Sequence, residues 1–244
     1  MNSSKRVDFI KNWIIDYIQS MPKKASALVV GVSGGIDSAV VSTISSMTGL
    51  KTFVLSMPIK QIKTQDDLSK LHCKWLVSNF KNVSYFNVDL DNVFSSFENA
   101  LGENNSEHAF ANSRARLRMA TLYQVAGSNN GIVVGTGNKV EDFGVGFYTK
   151  YGDGGVDISP IADCTKSQVW EMGEFLEIDQ KIISAPPTDG LWVDGRNDED
   201  QLGMTYKELE EAMENPKSEN YNKYLKIREN NLHKIKEIPV CKFD

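Results

Sequence analysis

The distribution of apolar residues near the N-terminus predicts an amphipathic helix. Apolar side chains recur at helical spacing before Pro22. They are Phe9, Ile10, Trp13, Ile14, Tyr17 and Ile18. Farther along the chain, short apolar runs, most of them bounded by glycine or proline, predict strands. These runs are Ala27–Val32, Thr52–Met57, Ser84–Val88, Gly131–Val134 and Val156–Ile161.

Stretches with helical periodicity separate these strands. They are Ser38–Met47, Gln65–Phe80, Asp91–Leu101 and Ala109–Ala126. Strands that alternate with helices are typical of a parallel sheet with helices on both faces. We therefore predict an α/β fold with a doubly wound, Rossmann-like open parallel sheet of about five strands. The length of 244 residues favours a single domain over residues 1–244.

Composition and charge exclude several classes of protein. The net charge of −5 argues against a nucleic-acid-binding protein, which would carry a basic face. Cys73, Cys164 and Cys241 are odd in number and form no C-x-x-C pair, so neither a disulfide framework nor a zinc site is expected. No apolar segment reaches the length of a membrane span, and the N-terminus is charged throughout. We expect a cytoplasmic protein without a membrane partner.

The sequence "GVSGGIDS" at 31–38 directly follows the first predicted strand and opens a helix. Unpaired N–H groups and the positive end of the helix dipole make such a turn a binding site for anions. Gly34 and Gly35 allow close approach of a phosphate, and Ser33 and Ser38 add hydroxyl donors. The loop is neither a Walker A motif, because its lysine is missing, nor a G-x-G-x-x-G motif.

Asp37 places a negative charge inside this predicted phosphate loop. A carboxylate beside a polyphosphate is repulsive unless a divalent cation lies between them, and Mg²⁺ is typically held by one or two carboxylates plus phosphates. The pattern therefore predicts a nucleotide polyphosphate with its magnesium ion. An alternative remains open, in which Asp37 only caps the helix and the glycines only form a tight turn.

The loop resembles the pyrophosphate loop of the ATP pyrophosphatase (PP-loop) superfamily. Further segments resemble the NAD⁺ synthetase family over nearly the whole chain. These segments are "NSRARLRM" (112–119), "VVGTGNKVED" (133–142), "GFYTKYGDGGVD" (146–157), "SPI" (159–161), "TKSQV" (165–169), "APPTDGLW" (185–192), "DEDQLGMTY" (198–206) and "HK" (233–234). The resemblance implies a ligase that adenylates the nicotinate carboxylate of deamido-NAD⁺ with ATP and then displaces AMP with ammonia.

The resemblance also implies the residues that bind ATP and magnesium. Asp37 and Glu141 match acids of the magnesium site, and Lys166 matches a lysine that neutralises phosphate charge, so these three would be the catalytic residues. Thr136 and Thr188 match ATP-binding threonines. The pyrophosphate loop would consist of Gly31, Val32, Ser33, Gly34, Gly35, Ile36, Asp37 and Ser38. Without the resemblance, Glu141 would be interpreted as a solvated helix acid.

Other matching positions imply a site for deamido-NAD⁺. They are Arg116, Lys150, Asp157, His233 and Lys234. Arg114 and Arg118 lie four residues apart on one helix face, whereas Arg116 points to another, so the three cannot serve one phosphate. His72 and His108 match no motif and are expected to be structural or exposed.

The ammonia source and the assembly follow from the same comparison. No Cys–His signature of a covalent nucleophile is present, and the chain has no room for a glutaminase domain, so we expect free ammonia as the nitrogen donor. The family implies a homodimer. One departure is Ser56, where some family members have an arginine, which leaves the adenine contacts and any role of Gln61 open. No role is assigned to 198–200.

Two other functions remain as alternatives. A sulfur transferase that modifies tRNA could use the same loop, but it would want reactive cysteines and a basic RNA surface, which this sequence lacks. A regulator that binds ATP without turnover is the second, although it would not need Asp37, Glu141 and Lys166 together.

Overall fold

The computed structural model describes residues 1–188, 190 and 197–243. Part of the "APPTDGLW" segment therefore lies outside the described residues. Thr188, the residue of this segment to which the sequence assigns a role, is described.

A parallel sheet forms the centre of the molecule. Its strands are β1 (Ala27–Gly31), β2 (Lys51–Ser56), β3 (Val83–Asn87) and β4 (Gly131–Val134), in the order β3-β2-β1-β4. Every pairing is parallel, and Leu28 of β1 lies between Thr52 of β2 and Ile132 of β4. Parallel neighbours require crossover connections, which the helices between the strands provide.

The predicted fifth strand at Val156–Ile161 is wrong for the described residues, where the sheet has four strands. Pairing in this region is reduced to one parallel bridge between Val134 and Ile158. The carboxylate of Asp157 accepts the Val133 N–H at 2.7 Å, so a side chain replaces the backbone carbonyl that a fifth strand would offer. Pro160 follows shortly and has no N–H to continue a ladder.

Helices cover both faces of the sheet, which confirms the doubly wound prediction. They are α1 (Ser3–Ser20), α2 (Ile36–Met47), α3 (Lys63–Asn79), α4 (Asp91–Leu101), α5 (Glu107–Ser128) and α6 (Lys166–Phe175). Leu28 and Val30 pack with the apolar faces of α1, α2 and α6. Ala27 and Val29, which alternate with them along β1, pack with α4 and α5 on the opposite face.

The C-terminal part adds a helical cluster beside the sheet. It contains a π-helical segment (Lys139–Val145) and the helices α7 (Gln180–Ile183), α8 (Asp198–Leu202), α9 (Tyr206–Glu214) and α10 (Tyr221–Ile235). Val140 and Val145 of the π-helical segment pack against Leu209 and Tyr224. Arg228 of α10 donates to the carbonyls of residues 143 and 144 and so ties the two elements together. Among the described residues, no helix is long and apolar enough to span a membrane.

The strand order places a crevice between β1 and β4. From β1, one connection leads to β2 on one side, while β4 lies on the other. Ligands of doubly wound proteins bind at such a switch point, outside the carboxyl ends of the strands. The loop after β1 and the segment after β4 meet there.

Candidate active site

The loop at 31–38 has the geometry of a tight phosphate loop. Gly34 has a φ of +95°, and a Cβ at this position would lie 2.6 Å from the carbonyl oxygen of Gln65, so only glycine fits. Ser38 accepts the Ser33 N–H at 3.1 Å and donates to the Gly35 carbonyl at 2.9 Å. These bonds within the loop hold it in shape.

Asp37 is not the cap of α2. Gly35 is the N-cap residue and no side chain caps it, whereas Asp37 lies inside the first turn. Its carboxylate instead accepts hydrogen bonds from Asn138 Nδ2 at 3.0 Å and from Lys166 Nζ at 2.6 Å. The structure thus favours a role in the site over the capping alternative.

Lys166 joins the two acids that the sequence singles out. Its Nζ lies 2.6 Å from Asp37 Oδ2 and 2.9 Å from Glu141 Oε1. The Lys166 side chain is 2% exposed, while those of Asp37 and Glu141 are 17% and 15% exposed. Residues that are 129 and 25 positions from Lys166 in sequence therefore form one ion cluster.

Burial and pairing act in opposite directions on the ionisation of this cluster. Burial raises the pKa of Asp37, and although Lys166 opposes this, the charge of Glu141 adds to it and the pKa stays raised. Burial also acts to raise the pKa of Glu141, but Lys166, Tyr206 and Asn138 outweigh it and lower that pKa. Burial alone would lower the pKa of Lys166, yet the two carboxylates hold it above its ordinary value. Lys166 is therefore charged at neutral pH.

Asn138 connects the two sides of the crevice. It is fully buried, and while its Nδ2 binds Asp37, its Oδ1 accepts the N–H groups of Val140 and Glu141 at 3.0 and 3.1 Å. Asn138 thereby caps the π-helical segment that carries Glu141. π-Helical turns are frequent at functional sites. The sequence analysis did not identify this residue.

A cavity of about 240 Å³ lies in front of the cluster. Its lining includes the loop residues Gly31, Val32, Ser33, Gly35, Ile36, Asp37 and Ser38, together with Thr136, Glu141, Lys166 and Thr188. The structure thus brings together nearly all of the predicted ATP and metal residues. Gly34 turns away toward α3, and the cavity lining does not include it.

The donor set of this cavity fits a magnesium ion. Asp37 and Glu141 offer carboxylate oxygens, the ligand type that Mg²⁺ prefers. Asp142 and Asp153 also line the cavity and add further acidic groups. Among the described residues, no group of three or more His, Cys, Asp or Glu could hold a metal by itself. Phosphate oxygens and water would have to complete the coordination, as is usual for Mg²⁺.

A second cavity, of about 420 Å³, contains most of the predicted deamido-NAD⁺ residues. Arg116, Lys150, His233 and Lys234 line it, and Phe147 lines both cavities. Lys234 Nζ donates to the Tyr148 carbonyl at 2.8 Å, and Arg116 Nε donates to the Lys150 carbonyl at 3.2 Å. His108 also lines this cavity, although no motif predicted a role for it.

Asp157 is the predicted substrate residue that the structure does not bring to either cavity. Its carboxylate accepts the Tyr123 hydroxyl at 3.0 Å as well as the Val133 N–H. Its part in substrate binding stays a prediction, while its structural role at β4 is evident.

Arg118 and Gln61 lie together at the corner of the first cavity near Ser56. Arg118 donates to the Met57 carbonyl and to Gln61 Oε1, both at 3.0 Å. The guanidinium of Arg118, from α5, therefore lies near Ser56, the position at which some family members have an arginine. Arg116 and Arg118 lie on different faces of α5, as their spacing predicts, so Arg118 lines the first cavity and Arg116 lines the second.

A family model described as NAD synthase matches residues 6–241. The chain belongs to the NAD synthase family. An NH₃-dependent NAD⁺ synthetase from Carboxydothermus hydrogenoformans is 37% identical over 215 residues, which cover 86% of this chain and 85% of that protein. The family resemblance inferred from the sequence segments is therefore confirmed.

Solved structures of this family share the fold over the whole chain. An NMN synthetase from Francisella tularensis superposes with a TM-score of 0.91, at 30% identity and 100% coverage of both chains. An NH₃-dependent NAD synthetase from Campylobacter jejuni superposes with a TM-score of 0.79, at 24% identity, covering 99% of this chain and all of that one. The second likeness supports the fold alone.

Proposed function

We propose that this NAD synthase family member is an ATP-dependent ligase that amidates the nicotinate carboxylate of deamido-NAD⁺ with ammonia. The nicotinate carboxylate attacks the α-phosphorus of ATP and releases pyrophosphate. Ammonia then attacks the acyl carbon of the adenylate and AMP leaves, so NAD⁺ is formed. The observation that carries this proposal is the buried Asp37–Lys166–Glu141 cluster beside the phosphate loop at the switch point.

The residues of the first cavity have separate tasks in the adenylation step. The N–H groups of the loop and the Lys166 ammonium face the pyrophosphate part of ATP, and Thr136 and Thr188 bind the same nucleotide. Asp37 and Glu141 would hold Mg²⁺. The ion supplies positive charge that stabilises the pyrophosphate leaving group.

The second cavity is the proposed site of the nicotinate nucleotide. Arg116, Lys150 and Lys234 provide positive charge for its phosphates, and His233 lies beside them. Phe147 stands where the two cavities meet, so a carboxylate bound there can approach the α-phosphate of ATP. Asp157 supports this arrangement from beside β4, where its carboxylate accepts the Val133 N–H.

The environment of the two buried cysteines supports ammonia as the nitrogen donor, while the third, Cys241, is exposed. A glutaminase needs a reactive thiolate, but burial raises the pKa of Cys73 to about 12 and also raises that of Cys164. We further propose one NAD synthetase domain over residues 1–244, a homodimer as the assembly and the cytoplasm as the location.

A mononucleotide is the second candidate acceptor. The structural likeness is greater to the Francisella tularensis NMN synthetase, with a TM-score of 0.91, than to the Campylobacter jejuni NAD synthetase, with 0.79. The same adenylation and ammonia transfer on nicotinic acid mononucleotide would yield nicotinamide mononucleotide. The chemistry at the ion cluster is identical for both acceptors, so only the contacts in the second cavity distinguish them.

One assay tests both candidates. Purified protein is mixed with ATP, Mg²⁺ and ammonium chloride and receives deamido-NAD⁺ or nicotinic acid mononucleotide in parallel reactions. We expect AMP and pyrophosphate with the amidated product, and the acceptor with the higher kcat/KM identifies the substrate. Formation of ADP and phosphate, or no amide from either acceptor, would reject the proposal.

A matched pair of variants connects the activity to the site. Asp37→Asn should lower kcat by at least about 100-fold, because it removes a preorganised charge beside the transferred phosphates. Asp67→Asn removes an exposed acid on α3 that pairs with Lys63 and should leave kcat unchanged. Equal activity of both variants would show that Asp37 takes no part in the reaction.

A further inference from the structure

Tyr206 has a buried hydroxyl that points at a residue of the proposed metal site. Tyr206 is 1% exposed and begins α9, directly after the N-cap residue Thr205, which forms a capping box with Glu208. Its ring packs edge-on against Trp170, with centroids 5.8 Å apart. Its hydroxyl donates to Glu141 Oε1 at 2.5 Å and lies 3.2 Å from Asp198 Oδ2.

The hydrogen bonds of Glu141 are distributed unevenly over its carboxylate. Tyr206 and Lys166 both donate to Oε1, at 2.5 and 2.9 Å. Among the described residues, no hydrogen bond to Oε2 is seen, so Oε2 is the oxygen that a ligand can reach. Two donors on one oxygen resist small rotations of the carboxylate, because both hydrogen bonds weaken together when the group turns.

Tyr206 itself does not line the first cavity, whereas Glu141, Lys166 and Asp198 do. The phenol therefore stands behind Glu141, on the side away from a bound nucleotide. It cannot touch a substrate from this position and can only act through the residues in front of it. Partners of this kind orient metal ligands and are often as important as the ligands themselves.

We propose that Tyr206 is a positioning residue that holds Glu141 in the orientation needed to bind a divalent cation. This inference rests on the proposed function, because it takes Glu141 as a metal ligand. It adds a residue from the "GMTY" segment, which the sequence left without a role. Asp198 is buried beside Tyr206, with its Oδ2 3.2 Å from the tyrosine hydroxyl.

The test compares Tyr206→Phe with a matched control. Tyr224→Phe removes the hydroxyl of another buried tyrosine from the same helical cluster, and no described hydrogen bond joins it to Glu141. Mn²⁺ is titrated by electron paramagnetic resonance into each protein with an α,β-methylene analogue of ATP. Tyr206→Phe should bind Mn²⁺ about 10–100-fold more weakly than the wild type, and Tyr224→Phe should match the wild type.

A purely structural role predicts a different outcome. In Tyr206→Phe the aromatic ring keeps its contact with Trp170, so thermal unfolding should show that the variant is folded, and the titration midpoint does not depend on the folded fraction. If Tyr206→Phe lowers the melting temperature but leaves the Mn²⁺ affinity unchanged, the proposal is wrong. Equal weakening by Tyr224→Phe would also overturn it.

A double variant tests whether Tyr206 acts through Glu141. In a Glu141→Gln background the metal ligand is already impaired, so adding Tyr206→Phe should cause no further loss of Mn²⁺ affinity. A loss of the same size in both backgrounds would contradict the inference. The wild-type titration needs no turnover, so failure of the amidation assay with normal Mn²⁺ binding would reject the proposed substrate and leave the role of Tyr206 standing.

Discussion

Lys166→Met is the substitution that tests the ion cluster most directly. It keeps a side chain of similar length but leaves Asp37 and Glu141 as neighbouring carboxylates that are 17% and 15% exposed. Removing one member of a buried ion pair typically costs about 3–5 kcal/mol, because the remaining charge is unpaired. In a chain of 244 residues, 1 kcal/mol corresponds to about 2 °C in Tm. We therefore expect Tm to fall by about 6–10 °C.

Lys63→Met is the matched control for this prediction. Lys63 also pairs with an acid, Asp67, at 2.8 Å, but the two side chains are 86% and 56% exposed. Exposed pairs of this kind contribute about 0.5 kcal/mol or less, so Tm should fall by about 1 °C. Differential scanning calorimetry of both variants at pH 7 measures the difference. If Lys166→Met is no less stable than Lys63→Met, the cluster does not stabilise the fold and the argument fails.

Three further predictions concern other parts of the chain. Burial lowers the pKa of His72 to about 4. The free energy of unfolding should therefore be highest above about pH 6.5 and should fall by up to about 3 kcal/mol as the pH drops toward 4, because the unfolded chain takes up a proton there and the folded chain does not. Urea unfolding of His72→Asn should depend less on pH than that of the wild type. Gly34→Ala should lower the free energy of unfolding by about 1–3 kcal/mol through backbone strain alone, and the clash of the new Cβ with the Gln65 carbonyl adds to this loss. We expect a lower urea midpoint and a higher KM for ATP. Arg116→Ala should raise KM for the nicotinate nucleotide and Arg118→Ala that for ATP; the reverse would reject the assignment of the two cavities.

Local patterns predicted most of the fold because the forces that form its elements are local. Apolar runs, most of which end at glycine or proline, identified the four strands of the sheet, and helical periodicity identified the helices between them. The prediction of a fifth strand was wrong because its pairing with β4 depended on one side chain. Asp157 takes the Val133 N–H that a fifth strand would have needed, and the sequence does not reveal which acceptor prevails.

The site was predictable only in part for a similar reason. The loop at 31–38 is a local motif, and the structure has it as expected, whereas Glu141 and Lys166 came from the family resemblance. Asn138 and Tyr206 were missed because their roles depend on contacts over 101 and 65 positions, to Asp37 and Glu141 respectively. A buried tyrosine at a helix start has the pattern of a core residue, and its hydroxyl partner is visible only in three dimensions.

The ion cluster explains how the fold tolerates acids at the end of its central strands. Two carboxylates this close repel each other, and burial adds a desolvation penalty to both. Lys166 supplies the opposing charge from α6, and Asn138 supplies a neutral donor to Asp37, so the crevice is stable before a nucleotide arrives. Because the Lys166 ammonium is a compact charge on a flexible stem, it can turn toward a phosphate without a change in the backbone. The residue that stabilises the two acids is therefore also suited to neutralise a phosphate, as the proposed function requires.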